Sequence, residues 1–171
     1  GYARAGGRVG TAIVVPGPGL QNASAGLGTA YSASSPVFLI SGQVPIDKLG
    51  KDIGVLHEVN DQLDVIKPIT KWQARVLKAI EVPGAVHEAF RQLLTGRPRP
   101  VEIEIPPETL AEEVDIDLKE AEEYQRPLAG DEQVEKACKA LVDAKNPVIW
   151  AGGGVMSSGA SAALEAFAEL L

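Results

Sequence analysis

Val9-Gly10-Thr11-Ala12-Ile13-Val14-Val15-Pro16-Gly17-Pro18-Gly19-Leu20 is the stretch on which the reading of the fold turns. Val9–Val15 is rich in β-branched residues and almost wholly apolar, as expected of a strand buried in a parallel sheet. Pro16-Gly17-Pro18-Gly19 stops it, and Leu20, Ala23, Leu27, Ala30 and Tyr31 then recur at helical spacing. Ser34-Ser35-Pro36 breaks that helix. Val37-Phe38-Leu39-Ile40 reads as a second strand, ended by Ser41-Gly42. Strand, Gly-rich turn, helix and strand in this order predict an α/β fold built on a parallel sheet, in three layers, with right-handed crossovers.

Outward from this core, residues 43–56 form a loop rich in Gly, Pro, Asp and Lys, and a short helix is expected over 57–66 before Pro68. A longer helix starts near Pro83, where proline suits the first turn. Ala85, Val86, Ala89, Phe90, Leu93 and Leu94 make its buried stripe, and Gly96 is its stop. Val101-Glu102-Ile103-Glu104-Ile105 alternates apolar and acidic residues, the pattern of a half-exposed strand near a sheet edge. Composition then turns acidic, so 108–130 reads as a linker over the surface. Asp131 is the expected N-cap of a helix carrying Val134, Ala137, Cys138, Leu141 and Val142. Val148–Ala151 reads as a buried strand, Gly152-Gly153-Gly154 as a turn, and a last helix should begin near Ser158. This is the opening of a second α/β domain over 131–171. Gly1-Tyr2 and Leu170-Leu171 both read as cuts within a longer polypeptide.

Composition narrows the function. Apolar residues are 45% of the 171, enough for a core, and the formal net charge of −7 would repel nucleic acid or an anionic membrane. No apolar run nears the roughly 20 residues that span a bilayer. One cysteine, Cys138, and two histidines, His57 and His87, leave no cysteine-rich or multi-histidine metal site. The lone thiol suits a reducing cytoplasm. Cys138 is expected in a core, His57 at a helix start or on the surface, His87 in solvent, and Trp72 as a partly buried strand residue.

The turn at Gly17 and Gly19 joins a strand's C-terminal end to a helix N-terminus. Ligands of open α/β sheets bind at that edge, and glycine lets backbone approach them. A tight turn with no ligand is the simpler alternative. Gly152, Gly153 and Gly154 repeat the arrangement, but Ser157 stands where a dinucleotide fingerprint needs its last glycine.

Taken together, Gly1-Tyr2-Ala3-Arg4, Gly17-Pro18-Gly19 with Asn22, Ser35-Pro36, Gly42-Gln43-Val44-Pro45, Pro68-Ile69-Thr70-Lys71 and Gly96-Arg97-Pro98 occur in one order. The set resembles the pyrimidine-binding domain of thiamine diphosphate enzymes, the acetolactate synthase group above all. The similarity is dense over 1–107 and looser to Leu171, as the start of that family's central domain. The resemblance implies thiamine diphosphate and Mg²⁺ as cofactors and a 2-oxo acid as substrate, decarboxylated or joined to a second carbonyl. It places Gly17, Gly19, Asn22 and Gln43 on the pyrimidine side of a site built between subunits of a homodimer or homotetramer. It assigns no catalytic residue here: the family's activating glutamate lies shortly before the segment matching Gly1. Diphosphate and Mg²⁺ are held by a Gly-Asp-Gly motif that these residues do not contain, so the stretch alone is expected to be inactive. The central domain of some members binds FAD, of others ADP, which gives Gly152–Gly154 a role in an alternative reading, a non-catalytic nucleotide-binding module. Two departures stand out. Gly50-Lys51-Asp52-Ile53-Gly54-Val55-Leu56-His57-Glu58 replaces a Gly-Thr-Asp-Ala-Phe-Gln-Glu stretch, and Arg99 replaces a glycine.

Overall fold

The structure, a computed structural model, describes residues 1–125 and 127–171. It divides into two compact units, Gly1–Arg126 and Pro127–Leu171. The first holds a four-stranded, all-parallel sheet in the order β1-β2-β4-β3, with β1 Gly10–Val14, β2 Val37–Gly42, β3 Trp72–Arg75 and β4 Val101–Ile105. A short helix α1 (Tyr2–Gly6) precedes β1; α2 (Pro18–Ser32) joins β1 to β2; α3 (Gln62–Ile66) lies between β2 and β3; α4 (Val82–Leu94) joins β3 to β4; and α5 (Pro107–Ala111) follows.

The period-2 alternation of the strands sends side chains to two different layers. Phe38, Val101, Ile103 and Ile105 pack with Ala89 and Leu93 of α4, and Phe38 and Phe90 meet edge to face with ring centroids 5.8 Å apart. Leu39 faces the other way, onto Leu20 and Leu27 of α2 and Ile66 of α3. Helices on both faces of a parallel sheet make the expected three-layer α/β domain.

Two strand environments differ from expectation. β1 pairs with β2 alone and is an edge strand, not a buried one. Val14 joins the α2 layer, but Ile13 points to the opposite face beyond the reach of α4 and is 76% exposed. Conversely, β4 lies inside the sheet, and all five of its residues are buried. Its alternation separates two buried layers: valine and isoleucine face α4, while Glu102 and Glu104, each 0% exposed, face the polar side chains Ser41, Gln62 and Arg75.

The helix between β2 and β3 is shorter than expected. Asp61 caps it, its carboxylate accepting the Leu63 N–H at 3.0 Å, and His57 sits outside it in a left-handed turn (φ 71°). α4 ends as expected, with Gly96 at φ 57° just past its last turn. Lys71 donates to the Gln92 and Thr95 carbonyls, each at 2.6 Å, placing a cation on the negative end of α4. Arg99 lies 3.9 Å over the Tyr31 ring and ties the start of β4 to α2. Residues 116–124 cross α4 and line, with Val86, Phe90 and Leu94, an open, largely apolar groove of about 590 Å³. His87 is drawn into this crossing, 3.5 Å from Glu122, and is half-buried where solvent was expected.

In the second unit, α6 (Asp131–Val142), α7 (Gly153–Ser157) and α8 (Ser161–Ala168) form without a strand among the described residues. Gly130, not Asp131, is the N-cap, and its N–H donates to the Gln133 side chain at 3.2 Å. Val148–Ala151 is irregular, with Trp150 97% exposed, because no neighbouring strand offers it a ladder. Cys138 is exposed on α6 instead of buried, since no second layer covers that helix face within the unit. No described helix is long and apolar enough to cross a membrane.

Candidate functional site

All four strands run in parallel, so the segments leaving them gather at one edge of the sheet. The Gly17 turn leaves β1, Gln43 leaves β2, Arg75 ends β3, and Glu104 lies one residue from the end of β4. Open α/β sheets bind ligands at this edge.

Gly17 is buried, with φ 57°. A Cβ there would lie 2.4 Å from the His57 carbonyl oxygen, so no other residue fits without moving backbone. A Cβ on Gly19 would lie 2.6 Å from a Val15 methyl. Glycine at 17 is therefore required by the chain's own backbone, whereas at 19 the exposed Val15 side chain could turn aside; the turn is tight whatever it binds.

The turn is held by a side chain that pattern reading passed over. Gln62, 1% exposed, accepts the Gly17 N–H on Oε1 at 2.8 Å. Its Nε2 donates to the Gly42 carbonyl at 2.9 Å, to Ser41 Oγ at 3.0 Å and to Glu104 Oε2 at 3.1 Å. Arg75 Nε donates to the other Glu104 oxygen, and Arg75 also reaches Asp61 at 3.2 Å. Ser41 donates to Glu102 Oε1, while Glu102 Oε2 is buried with no partner among the described residues. Burial pushes the Glu102 carboxyl up to about 8, against the pull of the Ser41 hydrogen bond and with help from neighbouring Glu104. A lone glutamine and an alternating strand carry no sequence signal for this network; only tertiary placement does.

Gln43 and Gln62 line one polar cavity of about 150 Å³ with Val44, Glu58, Asp61 and Arg75. Gln43 is buried, and its Oε1 accepts the N–H of Val44 at 2.7 Å. Among the described residues its Nε2 takes no protein acceptor and remains able to donate to a ligand. Asn22 lies in the first turns of α2 at the same sheet edge, but it is exposed and does not line this cavity with Gln43. Gly152 leads into α7, and Gly153 and Gly154 form its first turn; a Cβ on any of them would meet nothing within 4 Å. Gln43 thus presents a spare amide donor to a polar cavity, and Gln62 links that cavity to the tight Gly17 turn.

A family model described as "Thiamine pyrophosphate enzyme, N-terminal TPP binding domain" matches residues 1–65, the segment that carries β1, the Gly17 turn, β2, Gln43 and Gln62. A probable acetolactate synthase large subunit of Methanococcus aeolicus is 39% identical over 100% of this chain and 29% of its own length. The chain belongs to the thiamine pyrophosphate enzyme family. Other relatives include an enzyme named for a different reaction. An acetolactate synthase large subunit of Lactococcus lactis is 36% identical over 99% of the chain and 30% of its own length. A probable 2-ketoarginine decarboxylase of Pseudomonas aeruginosa is 37% identical over 100% of the chain and 31% of its own length. The chain thus spans somewhat under a third of these family members.

Proposed function

We propose that the chain supplies the pyrimidine-side wall of a thiamine diphosphate- and Mg²⁺-dependent enzyme that decarboxylates a 2-oxo acid or joins it to a second carbonyl. The observation that carries this reading is Gln43: a buried amide with a spare donor, facing a polar cavity at the sheet's C-terminal edge beside the Gly17 turn. When bound, thiamine diphosphate supplies the electron sink for breaking a bond next to a carbonyl. This chain's residues orient and enclose. Gln43 donates a hydrogen bond to the cofactor side, Gly17 and Gly19 set the turn, and Asn22 stands at the rim, outside the cavity. Residues 1–107 act as the pyrimidine-binding domain, 108–130 as linker and 131–171 as the start of the central domain. The remaining walls come from other parts of the enzyme and from a second subunit in a homodimer or homotetramer, in a reducing cytoplasm.

Two relatives named for different reactions share near-equal identity with the chain, 39% and 37%, so this segment supports the 2-oxo acid class and not one member of it. The test is Gln43→Ala in the full-length enzyme. Cofactor affinity is expected to fall about tenfold, the worth of one hydrogen bond to a polar ligand, and turnover should fall with it. Unchanged affinity and turnover would remove Gln43 from the site. Thermal shift with thiamine diphosphate plus Mg²⁺, FAD or ADP separates this reading from a nucleotide-binding module, since the true ligand stabilises the fold by mass action.

A further inference from the structure

We infer that Gln62 is a positioning residue for the cofactor-side turn, holding Gly17 through one amide braced on the ends of β2 and β4. The inference rests on the thiamine diphosphate reading above and adds to it a residue that touches no ligand.

Asp61 anchors the start of α3 from two sides, accepting the Leu63 N–H at 3.0 Å and Arg75 at 3.2 Å. Gln62, the next residue, is thereby delivered inward and buried. Both ends of its amide are committed. Oε1 accepts from Gly17 at 2.8 Å, and Nε2 donates to the Gly42 carbonyl at 2.9 Å and to Glu104 at 3.1 Å. These partners also fix which end is oxygen, because a flipped amide would set a donor against the Gly17 N–H and an acceptor against a carbonyl.

The consequence lies in the turn. Gly17 has left β1 and precedes α2, so its N–H has no ladder partner and takes Gln62 instead. The same loop presses the turn a second time, through the His57 carbonyl that fills the space of a Gly17 Cβ. The 57–62 segment thus sets the pitch of the Gly17–Gly19 turn, while α2 sets its other end. Ligand-binding backbone must be held close to its productive geometry before the ligand arrives. A buried amide spanning the ends of three strands is suited to hold it there.

The experiment is calorimetric titration of the full-length enzyme with thiamine diphosphate and Mg²⁺, comparing wild type with Gln62→Met and Leu93→Ala. Methionine keeps the volume and removes every hydrogen bond of the amide. Leu93, on the buried side of α4 at the opposite sheet face, provides a destabilised control. The expected result is at least tenfold weaker binding in Gln62→Met and binding within twofold of wild type in Leu93→Ala. Gln62→Glu, which keeps the length but loses the donor to Gly42, should weaken binding at least threefold and serves if the methionine variant does not fold. Wild-type affinity in whichever Gln62 variant folds overturns the inference. Equal weakening in Gln62→Met and Leu93→Ala also overturns it, by reducing Gln62 to general stability. No binding by the wild type sinks the thiamine reading itself, a distinct outcome.

Discussion

Replacing Glu102 by glutamine should make the protein more resistant to unfolding in mild alkali while changing little in mild acid. Glu102 is fully buried, with one oxygen accepting from Ser41 and the other without a partner. Burial raises its carboxyl from 4.5 to about 8. Below pH 4.5 the folded and unfolded chains both hold the proton, and the group's stabilising contribution is fully present. Between 4.5 and 8 the folded chain keeps a proton that the unfolded chain releases, so stability falls as pH rises. Above 8 both forms are ionised and the loss is complete. At about 1.4 kcal/mol per pH unit the displacement sets an upper bound of about 5 kcal/mol. Water entry and side-chain relaxation bring the expected figure to about 2 kcal/mol. Glutamine is nearly isosteric, offers Ser41 the same carbonyl acceptor and does not titrate. Urea unfolding of both proteins at pH 5 and pH 8.5, followed by circular dichroism, measures the difference. It should shift by about 2 kcal/mol in favour of Glu102→Gln between the two pH values. A difference constant to within about 0.5 kcal/mol would refute the claim that Glu102 is held protonated by burial.

Gly17→Ala must place a methyl 2.4 Å from the His57 carbonyl at φ 57°, and thermal unfolding should register a loss of about 2 kcal/mol or more. Arg75→Ala leaves Glu104 buried without its cationic partner and should cost about 3 kcal/mol in urea unfolding, whereas Arg75→Ala combined with Glu104→Gln should recover much of it. Lys71→Met uncovers the carbonyl end of α4; a loss of about 1 kcal/mol, reduced at high salt, is expected in the same assay. The 171-residue chain alone, supplied with thiamine diphosphate and Mg²⁺, should release no carbon dioxide from pyruvate in a coupled assay; measurable turnover would contradict the division of labour proposed for it.

The parallel α/β frame was legible because hydrophobic period and glycine punctuation are local properties. Val37–Ile40, the α4 stripe and Gly96 as its stop all follow from neighbours a few residues apart. What sequence could not show was which layer lies above each face. In β4 the alternation of apolar and acidic residues was visible, but glutamates facing solvent and glutamates facing Gln62, Ser41 and Arg75 give the same pattern. Ile13 shows the reverse case: a β-branched residue suited to a core, on the one strand face that α4 does not reach. The site divides similarly. Gly17, Gly19 and Gln43 could be marked from the turn and the motif order, and they gather at one sheet edge. Asn22 was marked by the same logic yet lies outside the cavity. Gln62 carried no mark because a single glutamine is informative only when its partners, 20 to 45 residues away, are known.

The two glutamates of β4 also act as a proofreading device for the sheet's assembly. If β4 entered one residue out of step, both carboxyl groups would turn toward Phe90 and Leu93, and two branched aliphatic side chains would be thrust against Arg75 and Gln62. An ordinary strand buried in oil on both sides could tolerate that slippage, since one aliphatic residue replaces another. Here each misaligned pairing would strand charges in hydrocarbon and leave Arg75 without Glu104, so the chemistry of the polar layer selects a single alignment. The segment after β2 that supports the ligand edge therefore also dictates how its last strand is threaded.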